Sequence, residues 1–161
     1  MELPQHPRIA PLTISSVLAL NLPAVHGVTV AATVLEALAV MAKHDVGAVL
    51  VLDGERVAGI FCERDYARLA LVGAGIADVT SVSQVMTTCA VFATPPQTVQ
   101  SCLDLMNKKR LQHLPVLEDG KPLALLSMVD LLNETIAHYE RISQAHALDQ
   151  RIMFLQGTYS C

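Results

Sequence analysis

The chain is short of charge. Only 16% of its 161 residues are Asp, Glu, Lys or Arg, against 52% apolar ones. That balance points to apolar surface covered by self-association. Basic residues are not in excess: 11 Lys and Arg against 15 Asp and Glu give a net charge of −4. Duplex-binding proteins carry the opposite balance, so DNA is not an expected partner. The one basic run, Lys108-Lys109-Arg110, falls at a predicted helix end, where it complements the helix dipole. No apolar run approaches the roughly 18 residues of a membrane span, so no membrane association is expected. The opening residues, Met1 to Pro7, carry no basic stretch ahead of an apolar core, so no secretory signal is expected. The four cysteines, Cys62, Cys89, Cys102 and Cys161, form no CxxC pair and no metal-like spacing. Reduced thiols in a cytoplasmic protein and no metal site are the expectation. Gly-x-Ser-x-Gly, a glycine-rich phosphate loop and HExxH are also missing, so no catalytic residue is assigned and no enzyme activity is expected.

What the chain does have is a duplication. Shifted by 65 positions, residues 28–65 align with 93–130 without a gap, and nine of the 38 pairs are identical. They include Thr33/Thr98, Met41/Met106, Val51/Val116 and Asp65/Asp130. Ordinary composition would give roughly two or three identities. The last residues of each copy share one pattern: an apolar run, a small polar residue, two further residues, then Asp.

Those residues carry a resemblance. Gly59-Ile-Phe-Cys-Glu-Arg-Asp65 and, less completely, Ala124-Leu-Leu-Ser-Met-Val-Asp130 resemble the Gly-h-h-[Ser/Thr]-x-x-Asp mark of CBS domains, the regulatory repeats of the cystathionine β-synthase type, where h is apolar. His113-Leu114-Pro115-Val116 resembles the family's apolar-Pro-apolar strand start. The resemblance covers about residues 13–135. It implies an α+β fold: two β-α-β-β-α repeats packed as a pseudo-two-fold pair. It also implies a homodimer in which four repeats form a flat disc.

The pattern along the chain fits two such repeats. Residues 1–24 read as an arm and a short helix capped by Thr13, with Ile14, Val17 and Leu18 on one face. Repeat one spans 25–73, a linker 74–89, and repeat two 90–135. In repeat one Thr33 caps a helix with a predicted buried stripe of Val34, Leu35, Leu38, Met41 and Ala42. Gly47 is placed to end it. Asp53-Gly54 and Asp119-Gly120 predict hairpins. Units this small are marginal alone, so the repeats are expected to share one core. Residues 136–161 form an extension. From Leu132 apolar residues recur every three or four positions, with no Pro or Gly before Gly157. One amphipathic helix of about 25 residues follows, longer than the usual 11–12. Its stripe is expected to meet a second subunit, or an unknown protein partner.

The paired Asp residues are the candidate chemistry. A ribose offers two adjacent hydroxyl donors, and a carboxylate offers two acceptors. The helix N-terminus beside it favours a phosphate. Ser127 with Asp130 suits this arrangement better than Cys62 with Asp65, because a thiol is a weak donor. Arg64 could add charge toward a phosphate. The resemblance further places His113 and the Pro115 strand near phosphates and adenine, and Thr29 and Thr94 near base or sugar. Ordinary roles compete: an Asp in a first helical turn often serves only the helix end, and the threonines suit turns. His138 and His146, eight apart, fit a solvated helix face better than a zinc or haem site. The expected function is a non-enzymatic sensor of an adenosine-containing ligand (AMP, ADP, ATP or S-adenosylmethionine class), needing no cofactor. The alternatives are a structural dimerisation module with vestigial pockets, or an RNA- or metal-associated stress protein.

Overall fold

The computed structural model describes residues 10–20, 23–71, 73 and 77–157. After α1 (Ile14–Leu20), the first repeat runs β1 (Gly27–Thr29), α2 (Val34–His44), β2 (Ala48–Asp53), β3 (Arg56–Cys62) and α3 (Glu63–Ala70). A 3-10 turn at Val82–Gln84 and a short strand β4 (Thr87–Thr88) form the linker. The second repeat follows as α4 (Val99–Lys109), β5 (His113–Glu118), β6 (Lys121–Ser127) and α5 (Met128–Gly157). The fold is therefore the α+β architecture expected. Residues 1–9 of the predicted arm, residues 21–22, the start of the predicted linker at 74–76 and the tail with Cys161 lie outside the described residues.

The duplication is reproduced in the helix caps, the first helices and the hairpins. Thr33 and Thr98 each cap a helix of 11 residues, accepting the amide of Glu36 and of Ser101. Val28 pairs in parallel with Val51, and Ala93 with Val116, 65 positions on. Both hairpins are antiparallel and both shift register one residue after those valines. In the second copy the opening strand shrinks to the single Ala93 bridge. The helices end on left-handed residues, Asp45 (φ 53°) and Arg110 (φ 55°), so Gly47 is not the stop expected of it. In α2 the stripe is Val34, Ala37 and Met41; Leu35 and Ala42 face outward.

The repeats do not share one core. Each has its own, and the neighbouring segment completes it. Ile14 and Val17 of α1 lie buried among Val99, Met106, Leu114 and Leu131 of repeat two. Val82 of the linker lies among Val34, Phe61 and Val51 of repeat one. Backbone bonds fix both: Val99 N to Leu12 O (2.9 Å) and Val82 N to Ala32 O (2.8 Å). The reason is strand alternation. Val49 and Val51 of β2 face the helix of their own repeat, while Ala48 and Leu50 face the other repeat. There they meet Ile60, Cys62 and Leu125 in a small seam.

The final helix is 30 residues long, not 25. No capping signal or helix breaker separates the last helix of repeat two from the extension, so they form one rod. Leu131 is fully buried, whereas Leu132, Ile136, Tyr139, Leu148 and Ile152 of the predicted stripe are exposed. Among the described residues no helix is long and apolar enough to cross a membrane.

Candidate functional site

The seam between the repeats opens at both ends into a cleft. The first, about 270 Å³, is lined from repeat one by Asp45, Val46, Gly47 and Ala48, with Pro23, Ala24 and His26 before β1. Repeat two supplies His113, Leu125, Ser127 and Asp130. Leu125 and Ser127 lie on the same face of β6 because they are two residues apart. A further hollow of about 270 Å³ shares Pro23 and Asp130 and adds Asn133 and Glu134.

The second cleft, about 210 Å³, is the pseudo-symmetric mate of the first. Thr88, Cys89, Val91, Leu111, His113 and Ile60 line it. They correspond, by the same 65-residue shift, to Pro23, Ala24, His26, Val46, Ala48 and Leu125. Lys109 also lines it, and His113 borders both clefts.

The two acidic residues stand in different states. Ser127 donates to Asp130 Oδ2 from its amide (2.9 Å) and its hydroxyl (2.6 Å), and the Asp130 amide donates back to Ser127 Oγ (3.0 Å). This is a reciprocal helix cap. It leaves Oδ1 without a hydrogen bond among the described residues, and Asp130 is exposed at the cleft. Asp65 is buried. Its Oδ2 accepts from the Cys62 amide (3.0 Å) and thiol (3.1 Å), and its Oδ1 from Thr87 Oγ1 (3.2 Å). Arg68 adds a long ion pair at 3.9 Å. Both oxygens are thus engaged internally.

The reason lies in β4, which pairs with β3 and carries Thr87 against Asp65; among the described residues no strand pairs with the free edge of β6. A Cβ on Gly59 would stand 2.6 Å from Met86 Sδ and 2.7 Å from Thr87 O, so the glycine admits that strand.

His113, half-buried, has its pKa lowered by burial, which outweighs the opposing pull of Asp130, Glu63 and Asp65; Arg64 lowers it further. It is a neutral imidazole at pH 7, not the basic group a phosphate would want. Burial pushes the Cys62 thiol up, and its bond to Asp65 adds to this. Burial also raises Cys89 and Cys102. All three are protonated, unreactive thiols.

Of the predicted residues, Ser127, Asp130 and His113 meet in the first cleft. Cys62 and Asp65 sit behind the second. Arg64 donates to the Arg110 carbonyl at 3.4 Å. Pro115 is buried in β5, its carbonyl accepting the Ala93 amide. Thr29 and Thr94 line neither cleft; their carbonyls close turns with Ala32 and Gln97. His138 packs edge-on to Tyr139 beside an apolar hollow lined by residues 10–12 and the start of α4, and His146 is exposed. Among the described residues no three His, Cys, Asp or Glu side chains converge as metal ligands. Sequence reasoning missed Pro23, Ala24, His26, Asp45 and Leu125. No local motif marks the first four; Leu125 was within reach, two residues before Ser127 on one strand face.

Comparison with known proteins gives this geometry a context. The family model described as CBS domain matches residues 21–71 and 82–136. The chain is 30% identical over 133 residues to the CBS domain-containing protein CBSX3, mitochondrial, of Arabidopsis thaliana, covering 79% of this chain and 62% of that one. It thus spans about three fifths of CBSX3, and only 21% of the relative CBSCBSPB1. The crystal structure of the CBS domain NE2398 superposes with a TM-score of 0.72 at 32% identity, covering 78% of this chain and 98% of that one. Two more distant structures of the same fold hold ligands. The CBS domain pair of protein MJ0100 is in complex with 5′-methylthioadenosine and S-adenosyl-L-methionine (TM-score 0.68, 17% identity, covering 79% and 98%). CBSX2 is in complex with AMP (TM-score 0.64, 18% identity, covering 78% and 97%).

Proposed function

The chain belongs to the CBS-domain family as a tandem pair, and from that membership we propose that it is a non-enzymatic regulatory module that binds an adenosine-containing ligand in the cleft at Ser127 and Asp130. Structures of this fold bind AMP, S-adenosylmethionine or methylthioadenosine. The observation that carries the reading to this chain is the free Oδ1 of an exposed Asp130 at the mouth of an inter-repeat cleft. A ribose hydroxyl can donate to that oxygen without breaking the helix cap. Because the cleft has walls from both repeats, an occupied cleft favours one relative orientation of the two. The Asp65 side is the weaker site, since its carboxylate is already satisfied.

The signalling form is a homodimer, which the exposed stripe on α5 supports. That helix also offers a surface to a protein partner. The proposed compartment is the cytoplasm, with which the free thiols are consistent.

The test is direct. Purified protein, denatured, should release an adenosine compound identifiable by mass spectrometry, or else should show raised thermal stability with one of AMP, ATP, S-adenosylmethionine or 5′-methylthioadenosine. No released compound and no shift with any of the four would favour a module whose pockets are vestigial.

A further inference from the structure

The two clefts hold equivalent places in the duplicated fold but differ in charge. Around the Asp130 cleft the lining carries only negative full charges, Asp45 and Asp130. Glu63 reaches the same wall: a Cβ on Gly47 would stand 3.9 Å from Glu63 Oε2 and 3.8 Å from His113 Nε2. The adjoining hollow adds Glu134. Among the described residues no Lys or Arg lines either space. Burial keeps His113 neutral. The first turn of α5 brings partial positive charge, but Asp130 sits in that turn and offsets it.

The mate is reversed. Lys109 lines it. Arg64 donates to the carbonyl of Arg110, which lies between the lining residues Lys109 and Leu111. Arg64 Nε is buried and has no acceptor among the described residues. The carboxylate on this side, Asp65, is buried and held by Thr87 and Cys62. The reversal occurs at equivalent positions of the duplication: His44 against Lys109, Asp45 against Arg110, Glu63 against Met128, Arg64 against Val129.

We propose that the two clefts sort ligands by charge, the Asp130 cleft taking an adenosine without phosphate and the Lys109 cleft taking a phosphorylated one. This rests on the reading of the module as an adenosine sensor. In the first cleft a 5′-phosphate would lie among carboxylates with no Lys or Arg among the described lining residues, and like charges brought together disfavour binding strongly. A 5′-thioether or sulfonium meets no such penalty. In the second, Lys109 supplies a point charge suited to phosphate oxygens, and the Arg64 guanidinium is held beside it on the Arg110 carbonyl.

Isothermal titration of the full chain with 5′-methylthioadenosine and with AMP, each alone and each with the other at saturation, tests the sorting. Both should bind and neither should displace the other. Asp130→Ala should weaken methylthioadenosine about tenfold or more while AMP changes less than about twofold, and Lys109→Gln should do the reverse. Mutual displacement, binding of only one compound, or Asp130→Ala weakening AMP as strongly as methylthioadenosine would overturn the assignment while leaving the sensor reading intact. If neither compound binds, and S-adenosylmethionine and ATP fail as well, the sensor reading falls and takes the assignment with it.

Discussion

Asp65 and Asp130 are the same residue at the same place in two copies of one motif, yet one is a structural acceptor and the other has an oxygen to spare. Substitution should separate the roles. Asp65→Ala strands the Cys62 amide and the Thr87 hydroxyl, and a buried donor without a partner costs about 1–3 kcal/mol. Denaturant unfolding should register that loss, with ligand affinity little changed. Asp130→Ala should cost stability only at the level of an exposed cap, about 0.5–2 kcal/mol. Calorimetry should find its main effect in ligand affinity, lowered about tenfold or more, as for a lost hydrogen bond to a charged group. A greater loss of binding from Asp65→Ala would reverse the ranking of the sites. His113 adds a pH dependence. Its folded pKa lies below the ordinary value of 6.5, so the unfolded chain takes up this proton more readily. The stability this group contributes is complete above that value and is lost as pH falls through the lowered folded pKa. The drop in melting temperature from about pH 7.5 to about pH 5.5 should be smaller in His113→Gln than in the native chain.

At the scale of elements, the segments between repeats matter as much as the repeats. α1 has only seven residues, too short to hold as an isolated helix. It is held by Ile14, fully buried in the core of repeat two, nearly 100 positions before the middle of that repeat. Ile14→Ala should therefore cost about 2–5 kcal/mol, the range for a large buried aliphatic cut to alanine, read from the urea midpoint. A loss no greater than that of an exposed leucine such as Leu20→Ala would show that α1 is dispensable. The helices, hairpins and caps were legible because each depends on residues a few positions apart. Thr33 and Glu36 make a capping box within one turn, and alternation along β2 and β5 sorts the faces. The stop at Asp45 was not legible, because a left-handed aspartate competes with a nearby glycine that looks the better candidate.

For the whole molecule, the row Leu132, Ile136, Tyr139, Leu148 and Ile152 stands exposed along one rod. If a second copy covers it, Ile136→Glu combined with Tyr139→Glu should convert the dimer to monomer in sedimentation velocity, with the fold intact by circular dichroism. A native chain that sediments as a monomer would remove the homodimer. The duplication, the order of elements and the acidic pair follow from the sequence by itself, since a 65-residue period and local hydrogen-bonding rules act along the chain. Tertiary structure alone decided that α1 belongs to repeat two, that a two-residue strand seals Asp65 away, and that Asp45, His26 and Ser127 share one cleft. Those outcomes depend on which distant segments meet across a seam, and packing between segments leaves no periodic trace in the order of residues.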